Sequence, residues 1–260
     1  MKDVWQSGDP YELYMGRWSS LVAESFIDWL SPAIELKWLD VGCGSGALSE
    51  AIISNYKPAE VIAIDQSDGF VKAAQKRLGN NALCKVGNAL SLPLDDSSVN
   101  TAVSGLVLNF IPESNKVLAE MLRVTCAGGS VGVYIWDYAG KMEFLNQFWD
   151  VAVELRPEAS SLHEGNRFPE SNAEGLEQLF SQVGFKNIVT TPIEINTRFR
   201  NFDDYWNPFL SGQGPGPTYV SSLEETERDE LRNVLKERLP IQADGSIPMN
   251  ARAWAAKGIV

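Results

Sequence analysis

Residues 38–48, WLDVGCGSGAL, constrain this chain more than any other stretch. Leu36, Trp38, Leu39 and Val41 form a short apolar run that stops at Gly42, and Gly44 and Gly46 follow before apolar residues resume at helical spacing. The pattern predicts a strand, a tight glycine turn and the first turn of a helix. Glycine suits such a turn because it takes positive φ freely and, lacking Cβ, lets the backbone come within contact distance of a ligand. A helix starting near Ser45 and Gly46 directs unpaired N–H groups and the positive end of its dipole into the same space. The turn is therefore a candidate seat for a nucleotide-like ligand with a negative group. Cys43, inside it, reads as a small residue filling tight space, since nothing nearby in sequence would lower its thiol pKa.

Strand and helix alternate after the turn. Ala47–Tyr56 reads as a helix stopped before Pro58, and Glu60–Asp65 as a buried strand ending on a carboxylate. Ser67 caps a helix whose Phe70, Val71, Ala74 and Leu78 face the core and which Gly79 closes. Residues 82–86 and 99–108 are a third and a fourth strand. Pro112 opens a helix with apolar Val117, Leu118, Met121 and Leu122 that Gly128 and Gly129 end, and 130–136 is a fifth strand. Such alternation implies a doubly wound α/β sheet, mostly parallel and Rossmann-like, whose ligands lie beyond the carboxyl ends of the strands. Gly42, Asp65, Asn88, Leu106 and Asp137 all fall at or just after those ends.

The flanks are less regular. Trp5, Tyr11 and Tyr14 lie in an opening segment without period, and Trp18, Leu21, Val22, Phe26, Trp29 and Leu30 then form one stripe of an outer helix ended by Pro32. Residues 142–155 make an aromatic-rich helix, 156–172 a polar stretch, and a further helix runs to Val183. Residues 184–199 alternate as a strand, and 251–260 could supply an antiparallel closing strand beside it. Between them lie the loop GQGPGPTY from Gly212 and a helix from about Glu224 to Leu239, acidic at its start and basic at its end. The expected organisation is an N-terminal helical cap (1–35), a core (36–199), a helical lid (200–248) and a closing strand (249–260).

A net charge of −12 argues against broad contact with nucleic acid or an anionic membrane. The opening MKDVWQSGDP has neither a basic region nor an apolar signal core, and no apolar run approaches membrane-span length, so a cytoplasmic protein is expected. Cys43, Cys84 and Cys126 lack CxxC spacing, which suggests neither a zinc site nor a disulfide framework.

The turn alone leaves two readings open. Gly42 to Ala47 satisfies GxGxxA, and Asp65 stands 19 positions after Gly46, close to the ~20 expected of a ribose-binding acid in a dinucleotide fold. The segments LDVGCGSG, VIAID, GNALSLPLDDSSVNTAV and LAEMLRVTCAGGSV, in that order and spacing, resemble the successive motifs of class I S-adenosylmethionine-dependent methyltransferases, nearest the small-molecule branch that includes ubiquinone and menaquinone methyltransferases. The likeness spans roughly residues 38–136, and four motifs together are far more specific than GxGxxA.

The resemblance implies S-adenosylmethionine as cofactor, S-adenosylhomocysteine as product, and a set of roles. Asp40 with Gly42, Cys43, Gly44, Ser45 and Gly46 would face the methionine part of the cofactor, with Arg17 a second anchor for its carboxylate. Asp65 would accept both ribose hydroxyls beside Gln66 and Ser67. Asn88, with Ala89 and Leu90, replaces the Asp usual near adenine, an amide being able both to accept and to donate. Leu106 would line the methyl-donor side. Asn109 stands where relatives often carry a His, which puts any acid or base role attached to that His in doubt.

Methyl transfer from a sulfonium requires alignment and exclusion of water, so neither a metal nor an obligatory nucleophile is expected. Asp137 and Tyr138 are base or positioning candidates for a small-molecule acceptor, against the simpler reading that they cap a loop. His163, the only histidine, reads as a surface residue. Trp136, Phe148, Trp149, Tyr205 and Trp206 read as core more readily than as an apolar lid. An NAD(P)-dependent oxidoreductase and a cofactor-binding protein without turnover are the competing functions, and the oligomeric state is open.

Overall fold

A computed structural model describes residues 12–212 and 214–260. Trp5 and Tyr11 lie outside the described residues. The chain divides into two units, the larger built from residues 19–135, 170–193 and 253–260. Its scaffold is a seven-stranded sheet. In chain order its elements are α1 (Arg17–Leu30), β1 (Lys37–Val41), α2 (Ala47–Tyr56), β2 (Glu60–Asp65), α3 (Asp68–Leu78), β3 (Leu83–Val86), β4 (Val99–Gly105), α4 (Ser114–Val124) and β5 (Thr125–Trp136).

Sheet order is β3-β2-β1-β4-β5, then two later strands, β7 (Asn250–Ile259) and, at the edge, β6 (Lys186–Asn196). β1 to β5 pair in parallel. β7 runs antiparallel to β5: at one end Val260 N–H donates to Gly129 O, at the other Asp137 N–H donates to Arg252 O. The chain moves from β1 to β2 and β3 on one side, then returns to place β4 on the other, so the topological switch point lies between β1 and β4. Apolar residues from one face of the sheet and the helices packed on it, among them Leu39, Ile62, Ala102, Val117, Met121, Val133 and Phe180, form one core that fixes the strand tips. α1 covers the sheet as an outer helix, with Phe26 against Tyr134 at 4.7 Å between ring centroids.

The smaller unit comprises the described residues up to 18, with 136–169 and 194–252. It contains the helices α5 (Glu143–Leu155), α6 (Glu164–Arg167), α8 (Phe202–Trp206), α9 (Pro215–Ser222) and α10 (Glu225–Arg238); α7 (Ala173–Val183) belongs to the sheet unit. The small unit has its own aromatic core: Phe148 stacks on Phe209 at 4.2 Å, Phe199 meets Tyr205 edge-on, and the Tyr205 hydroxyl donates to Phe144 O at 2.9 Å. Trp136, Phe148, Trp149, Tyr205 and Trp206 are all buried, the core role expected of them.

Four sequence expectations are corrected. The helix opened by Pro112 stops at Val124, four residues short of the glycine pair, where Thr125 Oγ1 donates to Met121 O at 2.7 Å and the chain turns extended. Gly128 and Gly129 lie inside β5, in the irregularity between the Val99–Thr125 and Thr101–Ser130 pairings, where Gly128 takes φ +79°. β4 ends at Gly105, because Leu106 turns to φ +61°. GQGPGPTY is no plain loop: Pro215, Gly216 and Pro217 open α9, since the first helical turn needs no N–H from proline. The polar stretch 156–172 also contains Pro157–Leu162 as a 3₁₀ helix, followed by α6.

Candidate functional site

The glycine turn is built on β2. Gly42 and Cys43 N–H groups both donate to Ile64 O, at 2.7 and 3.0 Å, and Gly46 N–H donates to Cys43 O at 2.9 Å. Gly42, Gly44 and Gly46 take φ of +72°, +52° and +90°, so all three need the left-handed region that glycine occupies without strain. At Gly42 space is decisive as well: a Cβ there would lie 2.7 and 2.8 Å from the methyl carbons of Val107. Cys43 is buried with Ala63, Ala74 and Leu78, and burial, with Asp40 and Asp65 nearby, pushes its thiol pKa up. It fills space, as its small size suggested.

Two acids stand at this turn. Asp40, paired in register with Ala63 on one side and Val103 on the other, is 0% exposed. Its Oδ2 accepts from Ser49 Oγ at 2.7 Å, while Oδ1 is buried with no partner among the described residues. Burial pushes its pKa up to about 7, against the lowering by Ser49 and with a further rise from Asp65. Asp65 ends β2 and ties two turns together, accepting from Gly44 N–H at 3.0 Å and Ser67 N–H at 2.8 Å. Burial raises its pKa too, opposed by these backbone donors. Ser67 in turn caps α3, its hydroxyl accepting from Phe70 N–H, and Gln66 is exposed beside it.

The remaining strand tips join the same place. Gly87 N–H donates to Asp65 O at 2.9 Å, which sets the Asn88–Ala89–Leu90 turn beside β2. Asn88 Oδ1 accepts from Leu90 N–H at 2.9 Å, so its oxygen stiffens the turn and its NH2 is the end left for donation. Leu106 is buried at φ +61°, an uncommon conformation for a residue with a Cβ, and its N–H donates to Tyr134 O. Ser104 Oγ donates to Val41 O at 2.7 Å and locks β4 to β1 at the switch point. Ser49, Val107 and the Leu106 backbone strain are site features that the sequence reading misses. Ser49 has a signal, a hydroxyl on the buried face of the helix following an acid; the other two have none in a single sequence.

Arg17, Asp137, Tyr138 and His163 belong to the smaller unit. Arg17 Nη1 donates to both carboxylate oxygens of Asp204 at 3.1 and 3.2 Å, and its guanidinium lies over the rings of Trp18 and Phe199. Asp137 is buried and accepts from Gly140 N–H, Lys141 N–H and the Arg252 guanidinium, the last at 2.5–2.6 Å. That is loop-capping geometry. Tyr138 is buried against Phe168 at 5.5 Å. His163 is half-buried rather than a surface residue: its Nδ1 accepts from Gly165 N–H at 2.9 Å to cap α6, its ring lies over Trp149, and burial lowers its pKa.

A glycine turn with acids at the ends of β1 and β2, at the switch point of a doubly wound sheet, defines a nucleotide-binding α/β protein of the Rossmann-like class. The family described as "Methyltransferase domain" matches residues 39–133. Demethylmenaquinone methyltransferase of Anoxybacillus flavithermus is 30% identical over 173 residues, covering 60% of this chain and 72% of that protein. 24-methylenesterol C-methyltransferase 2 of Arabidopsis thaliana is 36% identical over 182 residues, covering 66% and 48%. In fold, the chain is like phosphoethanolamine N-methyltransferase 2 of Haemonchus contortus, solved with S-adenosylhomocysteine, with a TM-score of 0.58 at 16% identity, covering 96% of this chain and 56% of that one.

The chain belongs to the class I S-adenosylmethionine-dependent methyltransferases. Its cofactor is S-adenosylmethionine, and the dinucleotide and turnover-free readings are not favoured. The residues fit that cofactor: the orphaned Asp40 oxygen suits an ammonium, and the Asp65 carboxylate, already held by two N–H groups, keeps lone pairs for hydroxyl donors. Among the described residues no helix is long and apolar enough to cross a membrane.

Proposed function

We infer that this methyltransferase acts on a small-molecule acceptor by in-line displacement. The observation that carries the cofactor side of this reading is the pair Asp40 and Asp65, two carboxylates at one glycine turn, with neither in a salt bridge among the described residues. Such a site favours a ligand with positive charge over one whose pyrophosphate would face both acids. S-adenosylmethionine, when bound, supplies an electrophilic methyl on a cationic sulfur.

The chain's own residues then bind and orient. Asp65, with Gln66 and Ser67 alongside, takes the ribose hydroxyls; Asp40 answers the ammonium; Gly42, Cys43, Gly44, Ser45 and Gly46 line the methionine portion. Asn88, Ala89 and Leu90 face adenine, and Leu106 keeps the methyl side apolar. Arg17 would have to share or leave Asp204 to hold a carboxylate. Asp137 and Tyr138 are the acceptor-side candidates, and the donors already on Asp137 favour positioning of its loop over proton abstraction. The names of the similar chains, a demethylmenaquinone and a 24-methylenesterol methyltransferase, support a small acceptor.

Calorimetric titration tests the cofactor site. S-adenosylhomocysteine should bind, and Asp65→Ala should weaken it by at least about 150-fold, since two hydroxyls lose a charged acceptor at roughly 1.5–3 kcal/mol each. NADH binding in its place would overturn the reading. Labelled cofactor incubated with a metabolite extract, followed by mass analysis, identifies the acceptor; label found only in protein or nucleic acid would exclude a small one.

A further inference from the structure

The turn after β4 holds a polar group that the cofactor roles leave unused. Residues 107–110 close on themselves, Phe110 N–H donating to Val107 O at 2.9 Å and Ile111 N–H to Leu108 O at 3.3 Å. Val107 is pressed against Gly42 of the glycine turn, and Leu108 is buried in the sheet core. The turn is thus pinned on both sides, and between those anchors and Phe110 stands Asn109. Its Nδ2 and Oδ1 are both buried, and neither has a partner among the described residues.

A carboxamide with both ends buried and unsatisfied is expensive, because each end has given up water and gained nothing. Native proteins hold few such groups, and those they hold need a reason. Asn109 sits where β4 reaches the switch point, next to a turn already strained at Leu106, and strain of this kind gathers where ligands are clamped. One donor and one acceptor on a single planar amide are complementary to a ligand that offers an acceptor and a donor side by side. With Asp40 and Asp65 at the adjoining turn, a neutral ligand group is favoured over an anion.

Resting on the methyltransferase reading, we propose that Asn109 orients the methyl acceptor, accepting through Oδ1 and donating through Nδ2 to a neutral group that carries a hydroxyl beside a carbonyl. Asn109 therefore determines which acceptors are used, in a way that needs no proton transfer to the protein.

The test, run at pH 5.5 so that the acidic tropolone stays neutral, uses the full chain saturated with S-adenosylhomocysteine and two ring probes of one shape: tropolone, with a hydroxyl beside its carbonyl, and tropone, with the carbonyl alone. Wild type should bind tropolone at least tenfold more tightly than tropone. Asn109→Leu and Asn109→Ala should bring the two affinities within twofold of each other while leaving S-adenosylhomocysteine affinity within twofold of wild type. The ligand-free melting temperature of Asn109→Leu should equal or exceed that of wild type, because an apolar side chain replaces unsatisfied polar atoms. Equal probe affinities in wild type, a preference that survives both substitutions, or a melting temperature several degrees lower in Asn109→Leu, as for an amide satisfied by a structural water, would each overturn the proposal. Wild type that fails to bind S-adenosylhomocysteine sinks the cofactor reading and this proposal together; binding without a tropolone preference sinks this proposal alone.

Discussion

The substitution Asp40→Asn should make the ligand-free protein more stable and a worse cofactor binder. The carboxyl rises from an ordinary 3.8 to about 7 in the fold because it is fully buried, with one oxygen unpartnered. A raised acid holds its proton more tightly when folded, so its contribution to stability is greatest at low pH and is lost as pH rises from the unfolded value through about 7. The interval from 3.8 to about 7 corresponds to about 4 kcal/mol at pH 8, an upper bound on what an uncharged isostere recovers. The introduced amide could still bond Ser49, whose hydroxyl both donates and accepts. At roughly 2–4 °C per kcal/mol for a chain of this size, the variant should melt up to about 16 °C higher at pH 8. At pH 5 the folded carboxyl keeps its proton while the unfolded one has mostly lost it, so the gain should shrink to about 1.6 kcal/mol, under half of that at pH 8. Losing a charge-assisted bond of roughly 1.5–3 kcal/mol should weaken S-adenosylmethionine binding by about 10- to 150-fold. Thermal melts at the two pH values and a calorimetric titration read all three quantities. A gain equal at pH 5 and pH 8, or unchanged affinity, would refute the argument.

Two further substitutions probe the scaffold. Gly42→Ala puts a methyl at φ +72° and 2.7 Å from Val107, which should cost about 2–4 kcal/mol and lower the melting temperature with it; a silent substitution would mean that the turn relaxes easily. Asp137→Asn weakens a buried acceptor of Arg252 and two backbone N–H groups, so it should lose about 2–3 kcal/mol of stability while turnover per folded molecule holds on an identified acceptor. A 100-fold fall in turnover with an unchanged melt would instead make Asp137 the base.

What can be read without coordinates is what repeats or is locally enforced. Alternating apolar runs mark the parallel strands, and the glycine spacing marks the tight turn after β1, because both depend on neighbours in sequence. The boundary after α4 escapes such a reading because two glycines that look like a helix stop serve instead in a strand irregularity, a choice made by pairing with β4. Pro215 and Pro217 look like loop markers for a related reason: proline is equally at home in a turn and in the first turn of a helix. Asp65 is legible as a candidate ribose acid, but its hold on Gly44 is not. Nor can sequence show that Asp137 and Arg17 already have partners, since Arg252 and Asp204 lie far along the chain.

Among the described residues, strand β6 borders on β7 and on no other strand, yet residues 197–249 intervene between them. During synthesis β6 leaves the ribosome long before β7, and β5 likewise waits with one side open. Closing so large a loop comes late in folding and slows it. Until β7 is threaded into its slot, two hydrogen-bonding edges are bare, and another copy could pair with them. The last step of assembly is therefore also the one most exposed to aggregation, and damage to residues 250–259 should show first as poor yield of soluble protein rather than as a change in chemistry.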